Sequence, residues 1–246
     1  MLHAVLAVGC SPQIRAVSAK LHELSASDMN VLIEGEPGTG KALAARALHA
    51  ASPRAPGPFV ALDCSIVSHE LMAAQLFCGC ARLLKQIRGG TLFLDHLDDL
   101  PPGAQYLLLR ALERQHDRSG GHGSDRARAA RVVAASSRVL ALEIAANRFR
   151  QDLCLRIAQG RVRIPPLRER REDIPVLAQH FAKQLGGTLS PGLVAQLSSY
   201  FWPGNVRELR SMVARLVSRP DPAEARPSGP RKRPRLGLRP RSARAQ

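Results

Sequence analysis

The chain has 246 residues, 45% of them hydrophobic, and a formal net charge of +16. That length suits one large domain or a domain with a small appendage, and the apolar share supports a real core, which excludes a chain disordered throughout. No run of about 18 apolar residues occurs, so no membrane span is expected.

The N-terminal stretch MLHAVLAVGCSPQ carries no basic leader and reads as a strand or loop rather than a signal peptide. NVLIEG (30–35) is a short apolar run ending in glycine, the pattern of a buried strand. After a Gly-rich turn, ALAARALHAAS has helical character, and Pro53 to Pro58 forms a loop. PFVALDCS reads as a second strand, TLFLD (91–95) as a third, and AQYLLLRALERQ (104–115) as an amphipathic helix. SGGHGS (119–124) is a loop, RVVAASS (131–137) a fourth strand, and a helical stretch follows through Ala158.

Strands alternating with helices predict a parallel sheet with crossovers, an α/β nucleotide-binding layout over residues 1–170. From Arg171 the character changes. REDIPVLAQHFAKQL, SPGLVAQLSSY and NVRELRSMVARLV predict three helices with no strand between them, a small all-α lid domain over 171–218. Residues 219–246 hold nine Lys/Arg against two Asp/Glu and are expected to be disordered. Two readings of this basic tail stand side by side. It can attract nucleic acid weakly through Arg231, Lys232, Arg233 and Arg235, or it is unselected sequence of the kind a frame change in a GC-rich gene produces.

Five cysteines (Cys10, Cys64, Cys78, Cys80, Cys154) form an odd set without framework spacing, which points to reduced thiols and a cytoplasmic setting. Cys78 and Cys80 have no second suitably spaced Cys or His pair, so they read as small side chains rather than half a metal site.

GEPGTGK, residues Gly35, Glu36, Pro37, Gly38, Thr39, Gly40 and Lys41, lies between a buried strand and a helix. Glycines there let the backbone turn tightly and present N–H groups to phosphate oxygens, the helix N-terminus adds partial positive charge, and Lys41 reaches the outer phosphates. Ala42 stands where a Ser or Thr hydroxyl would touch Mg2+, so metal binding falls to Asp95, at the end of the hydrophobic strand TLFLD. The bland alternatives are a Gly-rich turn with a solvated lysine, and an aspartate that caps the next helix.

VLIEGEPGTGK, GGTLFLD, FRQDLCLRI, IPPLRERREDIPVLAQHF and WPGNVREL, in this order, span nearly all of residues 8–217. On these stretches the chain resembles the central AAA+ domain of bacterial enhancer-binding proteins, the sigma-54-dependent transcriptional activators. The resemblance implies an ATPase that binds ATP or ADP with Mg2+ and assembles into a ring, with nucleotide between subunits. It implies that Arg150 and Arg156 are offered to a neighbouring subunit's γ-phosphate, a role suited to guanidinium forks. It makes Arg207 the lid arginine that contacts nucleotide in the same subunit, and assigns Trp202 and Pro203 to the turn before it.

The chain also departs from the family pattern. His96 stands where the family has the glutamate that polarises the attacking water, and Asp63 stands where an asparagine restrains that glutamate. These two are expected to pair in a static link, leaving Asp95 and His96 at the catalytic positions, of which His96 is the altered one. Ser136 and Ser137 replace a Thr-Asn pair whose asparagine senses the γ-phosphate. The GAFTGA loop that grips sigma-54 would follow Leu76-Phe77, but CGCARLLKQIR stands there instead. Direct contact with sigma-54 is therefore not expected. On this reading neither a receiver before the AAA+ region nor a helix-turn-helix after Val217 is expected. Three readings remain at this point: a nucleotide-binding transcription regulator with impaired hydrolysis, acting as a homo-oligomer or in a mixed ring with an intact relative; an active ATPase that remodels a transcription complex; and a decayed paralogue without activity.

Overall fold

The structure, a computed structural model, describes residues 9–66, 87–117 and 129–218. The Leu76-Phe77 position, the Cys78 and Cys80 pair, the 119–124 loop and the basic tail lie outside these residues.

Helix α1 (Pro12–Ser25) opens the described chain, followed by β1 (Val31–Glu34), α2 (Lys41–Ala50) and β2 (Phe59–Asp63). Next come β3 (Thr91–Asp95), α3 (Pro102–Asp117), β4 (Arg131–Ser136), α4 (Leu140–Ala145), α5 (Gln151–Ile157) and β5 (Gly160–Arg163). Three helices close it: α6 (Asp173–Gln184), α7 (Pro191–Ser199) and α8 (Asn205–Ser218). The strands form one sheet in the order β2-β3-β4-β1-β5, and every pairing is parallel.

Successive strand residues point to opposite faces, and both faces are buried. Leu32, Leu92, Leu94, Val132 and Ala134 pack with α3, α4 and α5 around Leu108, Leu112, Leu140 and Leu153. Val31, Ile33, Phe93, Val133 and Ala135 pack on the other side with α1 and α2, through Ile14, Leu21, Ala44 and Leu48. This two-sided burial explains why the strand sequences read as continuous apolar runs. A third cluster lies within the lid, built on Leu177, Phe181, Trp202, Leu209 and Val213. Fully buried Trp202 donates from Nε1 to Leu197 O at 2.8 Å, closing the turn between α7 and α8.

Two local readings need correction, and one element went unread. Residues 12–25 are a helix: Ser11 caps it by accepting from Ile14 N, and Pro12 occupies its first turn, where the missing N–H costs nothing. The stretch up to Ala158 is two helices, interrupted around Asn147, which has φ 55. A fifth strand follows at Gly160–Arg163, with Gly160 and Val162 buried and Arg161 and Arg163 exposed. A strand of four residues with one large apolar side chain has almost no local signature; its pairing with β1 makes it a strand.

The lid is tied to the α/β body at its first helix. Asp173, wholly buried, accepts from Cys10 N and Ser11 N at 2.7 Å and from Ser11 Oγ at 2.9 Å. Buried Arg170 lies 3.8 Å from the same carboxylate and donates to Thr39 O at 3.1 Å. Among the described residues no helix is long and apolar enough to cross a membrane.

Candidate nucleotide site

In an open parallel sheet, ligands bind beyond the carboxyl ends of the strands, where the strand order reverses. Strands β1, β3 and β4 end there together. A cleft of about 270 Å3 opens at that point, lined by Pro37, Gly38, Gly40, Lys41 and Ala42, by Asp95 and His96, by Ser137, and by Arg207 of the lid. Phe181, Val206 and Arg210 line it as well, from α6 and α8.

The loop after β1 is shaped for an anion. Gly38 and Gly40 have φ of +79° and +106°, a region open to glycine and strained for other residues. Gly40 caps α2 with no side chain to accept from the helix's first amides, and a Cβ built on it would meet no atom within 4 Å. These unclaimed N–H groups and the positive end of the α2 dipole fit a phosphate. Lys41 is 7% exposed; its Nζ donates to Gly35 O at 2.6 Å and Ser137 Oγ at 2.9 Å. Burial pulls its pKa down, and the carboxylates of Asp95 and Asp98 oppose that shift. An ammonium so placed has little water to lose when a phosphate arrives.

Gly35, Glu36 and Thr39 sit behind the loop rather than in the cleft lining. Thr39 Oγ1 donates to Glu36 O at 2.8 Å, a Cβ on Gly35 would meet Ile164 O at 2.8 Å, and the Glu36 carboxylate turns to Arg168. These three shape the loop, while Pro37, Gly38, Gly40, Lys41 and Ala42 line the cleft.

On the opposite wall, β2 and β3 run in register, with Asp63 beside Asp95. His96 follows in a left-handed conformation, φ 51 and ψ 44. That turn swings the imidazole across to β2, and Nδ1 lies 3.0 Å from Asp63 Oδ1. An ionised carboxylate only accepts, so Nδ1 carries the hydrogen in this contact. Asp63 Oδ1 also accepts from Ser65 Oγ at 2.7 Å and Ser65 N at 3.0 Å. Ser65 first, and then His96, hold the Asp63 carboxyl below its ordinary range. The expected link between positions 63 and 96 is thus present.

Asp95 accepts from His96 N at 3.0 Å and reaches the cleft. With Ala42 offering no hydroxyl, Mg2+ at this site would be held by Asp95 through its water shell and by the phosphates themselves. Among the described residues no group of three or more Cys, His, Asp or Glu is arranged to hold a metal alone.

Ser137 follows the last residue of β4 and lines the cleft, with its N–H donating to Asp98 Oδ1 at 3.0 Å. Ser136 turns inward and donates to Arg138 O at 2.6 Å. Arg150 and Arg156 do not line this chain's cleft. Arg150 is exposed and forks onto Asp152, while the backbone of Arg156 accepts from Asn30 Nδ2 at 3.1 Å.

Phe181, Val206 and Arg210 line the cleft without being named by the sequence reading. Phe181 and Val206 carry helical-core periodicity, and their second role depends on the lid's position over α2. Arg210 had a signal, since it lies three residues after Arg207 and so on the same helix face.

The sequence model of the sigma-54 interaction domain matches residues 7–163, and that of the AAA+ ATPase lid domain matches 168–225. The chain belongs to the sigma-54 interaction domain family. It is 40% identical over 226 residues to the response regulator protein PilR of Pseudomonas aeruginosa, covering 85% of this chain and 51% of that protein. With the transcriptional regulatory protein ZraR of Klebsiella oxytoca it shares 40% over 228 residues, covering 85% and 52%. NtrX from Brucella abortus, crystallised in complex with ATP, superposes with a TM-score of 0.74 at 34% identity, covering 87% of this chain and 53% of that one. The chain therefore spans about half the length of the relatives it matches. Domain III of the Thermotoga maritima replication initiation protein DnaA has the same fold, with a TM-score of 0.65 at 17% identity. The family fold is the P-loop AAA+ sheet with a C-terminal helical lid, as described above.

Proposed function

We propose that this sigma-54 interaction domain is a nucleotide-binding component of transcription regulation that holds ATP or ADP with Mg2+ and hydrolyses ATP slowly. One observation carries the reading: the two walls of the cleft are unequally equipped. The phosphate wall has its loop, its buried lysine and a lid arginine in place. The wall that activates water presents an imidazole bonded to Asp63 at 3.0 Å. In the family pattern a free carboxylate stands there, able to polarise water and draw off its proton. Loss of such a base commonly costs about 10²–10⁴-fold in rate.

The exposed Arg150 forks onto Asp152 and lies 5.7 Å from the centre of the Tyr106 ring; outside its own cleft, it would be offered to a neighbour's, together with Arg156. This supports assembly as a homo-oligomer or in a mixed ring with an intact relative, in the cytoplasm. The sequence after Phe77 contains no GAFTGA, so the protein would act without gripping sigma-54 directly. Nucleic-acid binding through the basic tail would be weak and salt-sensitive.

Binding of a fluorescent ATP analogue, measured beside phosphate release, tests the reading. Saturable binding with release at least about 10²-fold below that of an intact family member run in parallel is the expected result. Release at the intact member's rate, abolished by Arg150→Ala, would overturn slow turnover. Absence of binding would overturn the nucleotide reading itself.

A further inference from the structure

Glu36 is the second residue of the phosphate loop, and it does not line the cleft. It is the hub of a set of bonds that joins the loop to the lid. Arg168 Nη1 donates to Glu36 Oε2 at 2.7 Å, and Nη2 donates to Oε1, a bidentate fork. The ring of Phe201 covers the same guanidinium at 5.1 Å, which limits its freedom to swing away. Asn205, the first residue of α8, is fully buried with φ 54. Its Nδ2 donates to Glu36 Oε2 at 3.2 Å and to Pro37 O at 3.1 Å, while its Oδ1 accepts from Leu167 N at 2.7 Å. One residue from the loop thus meets two from the lid side, and both donors of the Asn205 amide are used in this contact. Backbones close the contact: Arg207 N donates to Gly38 O at 3.3 Å, and a Cβ on Gly38 would come within 2.3 Å of Gly204 O.

The consequence lies two and five residues further along α8, where Arg207 and Arg210 reach the cleft. A helix is stiff, so the orientation of its first residue sets the side from which both arginine side chains leave the backbone. We propose that Glu36 is a positioning residue: by fixing Arg168 and Asn205 it holds the start of α8 so that Arg207 and Arg210 face the outer phosphate of a bound nucleotide. The proposal rests on the reading of the cleft as a nucleotide site. Glu36 would touch no phosphate. It would act on ligand choice through the lid, favouring a triphosphate, whose last group can meet the arginines, over a diphosphate.

Glu36→Gln is the direct test, because glutamine keeps the shape but offers one acceptor in place of two and turns N–H groups toward two other donors. Arg168→Met breaks the same contact from the other side without altering the phosphate loop. In the full chain, hydrogen exchange of residues 205–210 should rise in both variants while β1 and β4 stay protected. Preference for a non-hydrolysable ATP analogue over ADP should fall about tenfold in each, with the double variant no worse than either single one. Unchanged exchange at 205–210 in both variants would overturn the proposal, as would loss of stability with the ATP-to-ADP preference intact. If the unsubstituted chain binds neither nucleotide, the cleft reading fails, and the exchange of α8 still decides whether Glu36 holds the lid.

Discussion

The two walls of the cleft share a backbone plan and differ in chemistry. The wall after β1 keeps the full phosphate loop, backed by lid contacts at Glu36, Gly38 and Thr39. The wall after β2 and β3 keeps its register, with Asp63 level with Asp95, yet presents His96 bonded sideways to β2. Phosphate binding is mostly backbone N–H geometry and one buried cation, so it survives wherever the loop folds. Water activation depends on one side chain of the right charge and freedom, so it can be lost by substitution with no change in fold. Binding and turnover are therefore separable in this architecture.

The sharpest way to break that contrast is to repair the second wall. The double variant His96→Glu with Asp63→Asn should raise phosphate release by about 10²-fold or more, with nucleotide affinity little changed. No increase would show that the second wall is not what limits turnover. Attacking the first wall should do the opposite: Lys41→Ala should weaken ATP binding by about 100-fold in titration, since a charge-assisted contact to phosphate is lost. Gly38→Ala tests the backing of the loop, where φ is +79° and the added Cβ would meet Gly204 O. It should cost about 2 kcal/mol in denaturant unfolding and loosen α8.

Acid should loosen the same backing. The Arg168 fork holds the Glu36 carboxyl below its ordinary value of 4.5, so this contact stabilises the fold fully above that pH. Its contribution is lost as pH falls through the lower folded value, which exchange at 205–210 between pH 6 and pH 3 would follow. A lid whose exchange ignores that interval would mean the fork carries little. The smallest effect belongs to Asp63→Ala, at a half-exposed site: stability should change by less than about 1 kcal/mol, and phosphate release should stay low. A large gain in release from this single change would assign the slow step to the Asp63 contact alone rather than to the missing glutamate.

Features written in contiguous residues were readable without coordinates. The apolar run to Glu34, the glycines of the loop, TLFLD with Asp95, and the helical periods of α6, α7 and α8 each carry their own local signal. Ser190-Pro191 marked the start of α7, and Ser11-Pro12 bears the same signature for α1, so that helix was within reach as well. The sequence by itself determined the family, the phosphate loop and which residues stand at 63 and 96, because motifs and residue identities are properties of the chain order. Tertiary structure decided what depends on neighbours far apart in the chain. It made residues 160–163 a strand through pairing with β1, and turned Glu36 from the phosphates to Arg168, 132 positions away. It brought Phe181, Val206 and Arg210 to the cleft and left Arg150 and Arg156 outside it. Short-range periodicity and backbone preference act within a few residues, whereas the direction of a side chain is settled by the charge and space it meets after the layers have packed.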